Sequence, residues 1–230
     1  MILAVQGSPK PNSNLSRMVQ RIAEGTGYKY EFIDLPKLDI SPCMGCVKCA
    51  KNNRCIQNDD MASLYDKLEA ADALILGGVT YFGAPNGFTR NFMERMFPLR
   101  HHEPTTMNKP SLAVAVGGNQ PQITAEQISS HLQNYFNFNN VGYVYFKSDN
   151  PPCFICGYST QCQYGGPANQ WSKEEFENFT EVTEDMFKNF EQNTEAVNAC
   201  DSLAATLKEV IEKGVSSHPR AGIGFNKEIF

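Results

Sequence analysis

The sequence predicts a doubly wound α/β domain on a five-stranded parallel sheet, with a cysteine-rich loop and a C-terminal helical extension. Three observations lead there. Strand-like and helix-like stretches alternate five times up to about residue 150, the order of parallel strands joined by right-handed helical crossovers. "DALILGG" and "SLAVAVGG" are continuous apolar runs, as in strands covered on both faces. Short glycine-bearing links follow the first, third and fourth strands, at the sheet end where such folds take a ligand.

The elements follow in order. "MILAVQ" is a strand, and "GSPKPNSN" is the turn after it. "LSRMVQRIAEG" has helical spacing at Leu15, Met18, Val19 and Ile22, and Gly25 stops it. "YKYEFIDL" alternates as a strand and ends on Asp34, read as a strand-end cap. After a cysteine loop at 41–57, "DDMASLYDKLEAA" is a helix opened by acidic residues that suit its positive end. "DALILGG", the helix "NGFTRNFMERMF", "SLAVAVGG", the helix "ITAEQISSHLQNYFNF" and the strand "VGYVYFK" complete the domain at residues 1–150. Residues 151–230 hold a second cysteine loop, then two acidic amphipathic helices between about Trp171 and Gly214, and a tail.

Composition narrows the function. A formal charge of −5 argues against a nucleic-acid or anionic-membrane footprint, and no apolar run reaches the roughly 20 residues of a membrane span. The start, "MILAVQGSPK", has no basic leader and no cleavage site. A cytoplasmic location is expected, where long-lived disulfides are rare, so the eight cysteines point to metal or redox chemistry.

The first link carries Ser8, Lys10, Asn12, Ser13, Asn14 and Ser16 but neither G-x-G-x-x-G nor a P-loop ending. Its hydroxyls, amides and free N–H groups at a helix start suit a terminal phosphate such as that of flavin mononucleotide (FMN), or equally an ordinary helix cap. The third link, "GGVTYFGAPNG", places Val79, Thr80, Tyr81, Phe82 and Asn86 after a buried strand. Its two aromatic rings can cover a flat heterocycle or pack in the core. Gly117, Gly118 and Asn119 in the fourth link let backbone amides approach a ligand edge, or form a plain turn.

Over roughly residues 1–150 the chain resembles the NADPH-dependent FMN reductases of flavodoxin-like fold, and among them the iron–sulfur flavoproteins. The resemblance rests on "GSPKPNSNLS", on C-x-x-C-x-x-C-x5-C followed by "NDDM", and on "ADALILGGVTYFGAPNGFTRNFMERM". Leu15 replaces the family's threonine, with Ser13 or Ser16 as substitute hydroxyls, and Val79 replaces its proline. The resemblance implies FMN at the strand ends and a homodimer or homotetramer.

Cys43, Cys46, Cys49 and Cys55 have the spacing of thiolates that converge on one cubane. The resemblance implies a [4Fe–4S] cluster there; zinc or free thiols are the alternatives. Cys153, Cys156 and Cys162 repeat the spacing of Cys46, Cys49 and Cys55 and suggest a second cluster or a zinc site. Cys200, alone on a helix, reads as a small core residue, or as a fourth ligand to that second site. His101 and His102 read as a surface loop, and Arg90 and Arg95 as a solvated helix face.

No hydrolytic constellation stands out, and no side chain is assigned as a catalytic acid or base. The expected function is an oxidoreductase or electron-transfer protein that couples FMN to the cluster, with ferredoxin or NAD(P)H as donor. The alternatives are an NAD(P)H-dependent FMN or quinone reductase without a cluster, and a metal-stabilised binding module on the same scaffold.

Overall fold

The computed structural model describes residues 1–101, 104–148 and 150–214. Five parallel strands form the sheet: β1 (Ile2–Gln6), β2 (Tyr30–Asp34), β3 (Ala73–Tyr81), β5 (Pro110–Gly117) and β6 (Asn139–Lys147). Their order is β2-β1-β3-β5-β6, the flavodoxin-like arrangement in which the second strand of the chain sits at one edge. The helices are α1 (Asn14–Gly25), α2 (Met61–Ala70), α3 (Gly87–Arg95), α4 (Pro121–Phe136), α5 (Gly166–Gln170), α6 (Lys173–Glu177) and α7 (Thr194–Glu212). Among the described residues no helix is long and apolar enough to cross a membrane.

Alternation along each strand divides the core in two. Leu3, Val5, Leu74 and Leu76 face a cluster with Leu64, Phe92, Met96, Ile128 and Leu132 from α2, α3 and α4. Ile2, Ala4, Ile75, Leu112 and Val114 face Leu15, Met18, Val19 and Ile22 of α1, together with Cys200, Ala204 and Leu207 of α7. The C-terminal helix thus packs in the same core as the sheet. Arg21 holds Asp201 across that contact through two bonds of 2.7 Å, but exposed pairs contribute only about 0–1 kcal/mol. Burying Leu207, at roughly 1.5–3 kcal/mol, is the larger effect.

Two elements depart from expectation. β3 runs on to Tyr81 and returns through a two-residue strand, β4 (Ala84–Pro85), paired antiparallel with Thr80 and Tyr81. The turn residues Phe82 (φ 52°) and Gly83 (φ 75°) both have positive φ, as a tight hairpin requires. Second, only α7 of the two expected acidic helices is long. The chain from Asn178 to Asn193 is irregular, with two short 3-10 turns. Thr180, Val182 and Thr183 are β-branched and weaken a helix there, and the side chains of Asn189 and Asn193 cap new turns.

Candidate functional site

At the carboxyl end of the sheet one buried side chain joins the first and third links. Asn86 Nδ2 donates to Gly7 O (2.6 Å), and its Oδ1 accepts from Val79 N (3.3 Å). Gly7 must be glycine, because a Cβ there would lie 2.1 Å from Thr89 Oγ1. Gln6 fixes the same loop from the other side: Ser8 N donates to its Oε1 (2.6 Å), and its Nε2 donates to Ser8 O (3.2 Å) and to Asp34. Asp34 therefore braces this loop and pairs with Lys37 (3.0 Å); it makes no side-chain cap. Gln6 was missed in the sequence, although a polar residue closing an apolar strand is the visible signal.

A cleft of about 420 Å³ is lined by Ser8, Lys10, Asn12 and Ser16 and by Lys37 of the 3-10 turn that follows β2. Ser13 caps α1 by accepting from Ser16 N (3.1 Å). Asn14 is engaged elsewhere. Its Nδ2 donates to Lys188 O (2.9 Å), and its Oδ1 accepts from Phe190 N (3.1 Å) and Arg17 Nη2 (2.7 Å). It docks the segment that leads into α7.

The hairpin after β3 presents Tyr81 half exposed and Phe82 wholly exposed. Neither ring packs in the core. Beside them a Cβ on Gly117 would meet the Thr80 side chain at 2.6 Å, while Gly118 faces open space. Thr80 Oγ1 is buried without a hydrogen-bond partner. Two exposed rings, an open glycine backbone and an unpaired hydroxyl fit a flat heterocycle with a polar rim. A non-glycine residue such as Phe82 at positive φ stores about 1–3 kcal/mol of strain. Phe82→Gly is accordingly expected to leave the apo-protein as stable or more so, by up to about 1 kcal/mol, while FMN affinity falls several-fold. A melting curve with a flavin titration checks this; a large loss of apo stability would mean that the ring packs at home.

The first cysteine loop lies against the far end of α3. Cys43, Cys46, Cys49 and Cys55 all line one cavity, which Met44, Val47, Ile56, Phe97 and Pro98 make largely apolar. Cys49 is 7% exposed, and burial, with the charges of Cys55, Cys46 and Cys43, pushes its thiol up. Gly45 N donates to Cys43 Sγ (3.5 Å), and Gln57 Nε2 lies 3.8 Å from Cys55 Sγ. Among the described residues no three His, Cys, Asp or Glu side chains are grouped so that they could hold a metal ion, although the four cysteines border one cavity.

The loop is strapped down beneath that space. Arg54 binds Glu69 (2.5 and 2.8 Å) and Asp66 (2.8 Å). Arg95 overturns the expectation of a solvated face. It is 1% exposed, lines the cysteine cavity, and holds Asp59 through bonds of 2.5 and 2.9 Å and Ser41 O at 2.6 Å. Burial raises the Asp59 carboxyl, but the Arg95 hydrogen bonds and charge outweigh it and hold the group below its ordinary range. Arg90 does face solvent, beside Glu94 (3.5 Å).

The second array follows β6. Gly166 N donates to Cys153 Sγ (3.2 Å) and Tyr158 N to Cys156 Sγ (3.4 Å). A Cβ on Gly165 would lie 3.3 Å from Cys153 Sγ and 3.5 Å from Cys162 Sγ, so those two sulfurs border one spot. Phe154, inside the array, packs with Trp171, Phe179 and Phe187. Cys200 is fully buried in the core under α7, and burial pushes its thiol up to about 12; it takes no part in the array. His101 packs on Phe97 with ring centroids 4.2 Å apart. His102 lies outside the described residues, as does the chain after Gly214.

Comparison with known proteins gives the family and the fold. The family model described as NADPH-dependent FMN reductase matches residues 1–151. An iron-sulfur flavoprotein of Methanocaldococcus jannaschii is 34% identical over 134 residues, covering 55% of this chain and 68% of that protein. An iron-sulfur flavoprotein of Archaeoglobus fulgidus is 30% identical over 136 residues, covering 57% of this chain and 61% of that protein. The matched part thus spans about two thirds of these relatives' length. A solved flavone reductase superposes with a TM-score of 0.60 at 14% identity, over 94% of this chain and 65% of that one, a likeness of fold.

Proposed function

From a chain that belongs to the NADPH-dependent FMN reductase family, and is by that membership an FMN-dependent oxidoreductase, we propose an iron–sulfur flavoprotein that passes electrons between FMN and a [4Fe–4S] cluster. One observation carries the reading. α3 starts at the aromatic hairpin, and its last residues, Glu94 and Arg95, line the cavity shared by Cys43, Cys46, Cys49 and Cys55. Nine residues of helix span roughly 13 Å, a short path for an electron. Bound FMN exchanges electrons in pairs as hydride or singly, and a thiolate cluster passes them singly.

The chain's residues do the rest. Ser8, Lys10, Asn12 and Ser16 receive the FMN phosphate in their cleft, with Ser13 keeping the helix start in place. Tyr81 and Phe82 would cover the ring, with Val79 and Thr80 beside it and the open backbone at Gly117, Gly118 and Asn119 toward its polar edge. The four cysteines hold the cluster, and the N–H groups aimed at their sulfurs stabilise the thiolate state. Exposed Met44, Val47 and Ile56 make an apolar rim for a one-electron partner such as ferredoxin or for a second copy of this chain; NAD(P)H is the hydride donor. All eight cysteines are free, as a reducing cytoplasm would keep them.

Cys153, Cys156 and Cys162 supply three thiolates to a second metal site, which the N–H to sulfur bonds support. Anaerobically purified protein tests both parts. Flavin absorption with about four iron and four sulfide per chain indicates one cubane, and about eight of each brings in the second array. Cys156→Ala is expected to remove only the second increment, iron with sulfide or zinc without it, at constant flavin. Flavin without metal would leave a plain reductase.

A further inference from the structure

The buried guanidinium under the cysteine loop does more than staple it. Arg95 Nη1 and Nη2 are committed to Asp59 and Ser41 O, and Tyr65 Oη donates to the Arg95 carbonyl (2.9 Å). Arg95 Nε is buried and has no partner. This leftover donor belongs to a residue on the wall of the cavity that all four cysteines share. Cys55 packs against the same core cluster as Tyr65. Buried ion pairs contribute little net stability beside well-packed apolar residues, and an unmet N–H adds a cost unless something accepts from it. Four cysteine sulfurs wall that cavity, beside the side chains of Glu94 and Gln57.

We propose that Arg95 tunes the thiolate-bound group: Asp59 and Ser41 fix the guanidinium so that Nε–H donates to a cluster or cysteine sulfur, raising the reduction potential. This rests on the cluster reading above. A cluster held there would carry one more negative charge in its reduced than in its oxidised state. A fixed positive charge and a donated hydrogen bond stabilise the reduced state over the oxidised one. Asp59 offsets part of the charge and sets the orientation, so Arg95 acts as a positioning and tuning residue.

The experiment begins with iron and sulfide content of anaerobic wild type; their absence sinks the cluster reading before any variant is made. In loaded protein the midpoint potential is then followed by dye titration and electron paramagnetic resonance. Asp59→Asn with Arg95→Gln removes both charges together, so that neither is stranded, and Arg95→Lys keeps a charge but loses Nε. The double variant should disfavour reduction at least tenfold, ~59 mV for a one-electron couple, and the lysine variant about threefold. Wild-type potentials in both would make Arg95 a structural staple and overturn the proposal. Should neither variant keep its iron, the Nε–H signal of ¹⁵N-arginine-labelled wild type decides. A paramagnetic shift on that proton supports the proposal, and an unshifted signal refutes it.

Discussion

Replacing Cys49 with alanine is expected to strip the first metal site while leaving the flavin in place. Cys49 is the one thiol of its array that the fold buries, and burial together with the charges of the other three resists its ionisation. A thiolate at that position needs positive charge in the cavity, which iron of the proposed cluster would supply. Without the sulfur one iron of the proposed cluster would be open to water and the cluster labile, so iron and sulfide should fall at least tenfold after brief exposure to air. FMN should stay near its wild-type content, because its cleft and hairpin come from other segments. Reduction of one-electron acceptors should then fall further than reduction of the flavin by hydride. Zinc without sulfide in anaerobic wild type would replace the cluster with a structural thiolate site, and full iron in Cys49→Ala would remove this residue from the ligand set.

The second large effect is expected at Asn86, the side chain shared by two links. Asn86→Ala leaves Gly7 O and Val79 N buried without these partners. Each lost bond costs about 1–3 kcal/mol, divided between folding and cofactor binding. Since 1.4 kcal/mol is a factor of ten, FMN affinity should weaken at least tenfold, and the apo-protein should melt earlier. Asn86→Asp keeps an acceptor for Val79 N but has no donor for Gly7 O, so it should lie between. Full FMN retention at micromolar protein with only a lower melting temperature would make Asn86 a fold residue alone.

The sheet was legible because its signals are local. Continuous apolar runs and glycine-bearing links mark β1, β3 and β5 without knowledge of what they pack against. The hairpin was less so: "TYFGAP" reads as a loop until Phe82 and Gly83 are seen to turn the chain back on itself. Arg95 could not be read at all. Its neighbours alternate charged and apolar as on any surface helix, and the carboxylate that lets it be buried lies 36 residues earlier. Asn14 donates to Lys188 O, 174 positions away, a partner that local spacing does not show. The run from Thr180 to Thr183 should have broken the expected helix on β-branching alone.

The place of α7 has a consequence for how the protein is made. A chain leaving the ribosome folds from its N-terminal end, and here the last long element covers one face of the sheet. Val144 and Phe146 on the edge strand share their cluster with Cys200, Ala204 and Leu207. That cover is missing until Glu212 has been synthesised. The nascent domain therefore carries a greasy face that α1 covers only in part. That is a reason for a chaperone, or for cofactor delivery that follows translation.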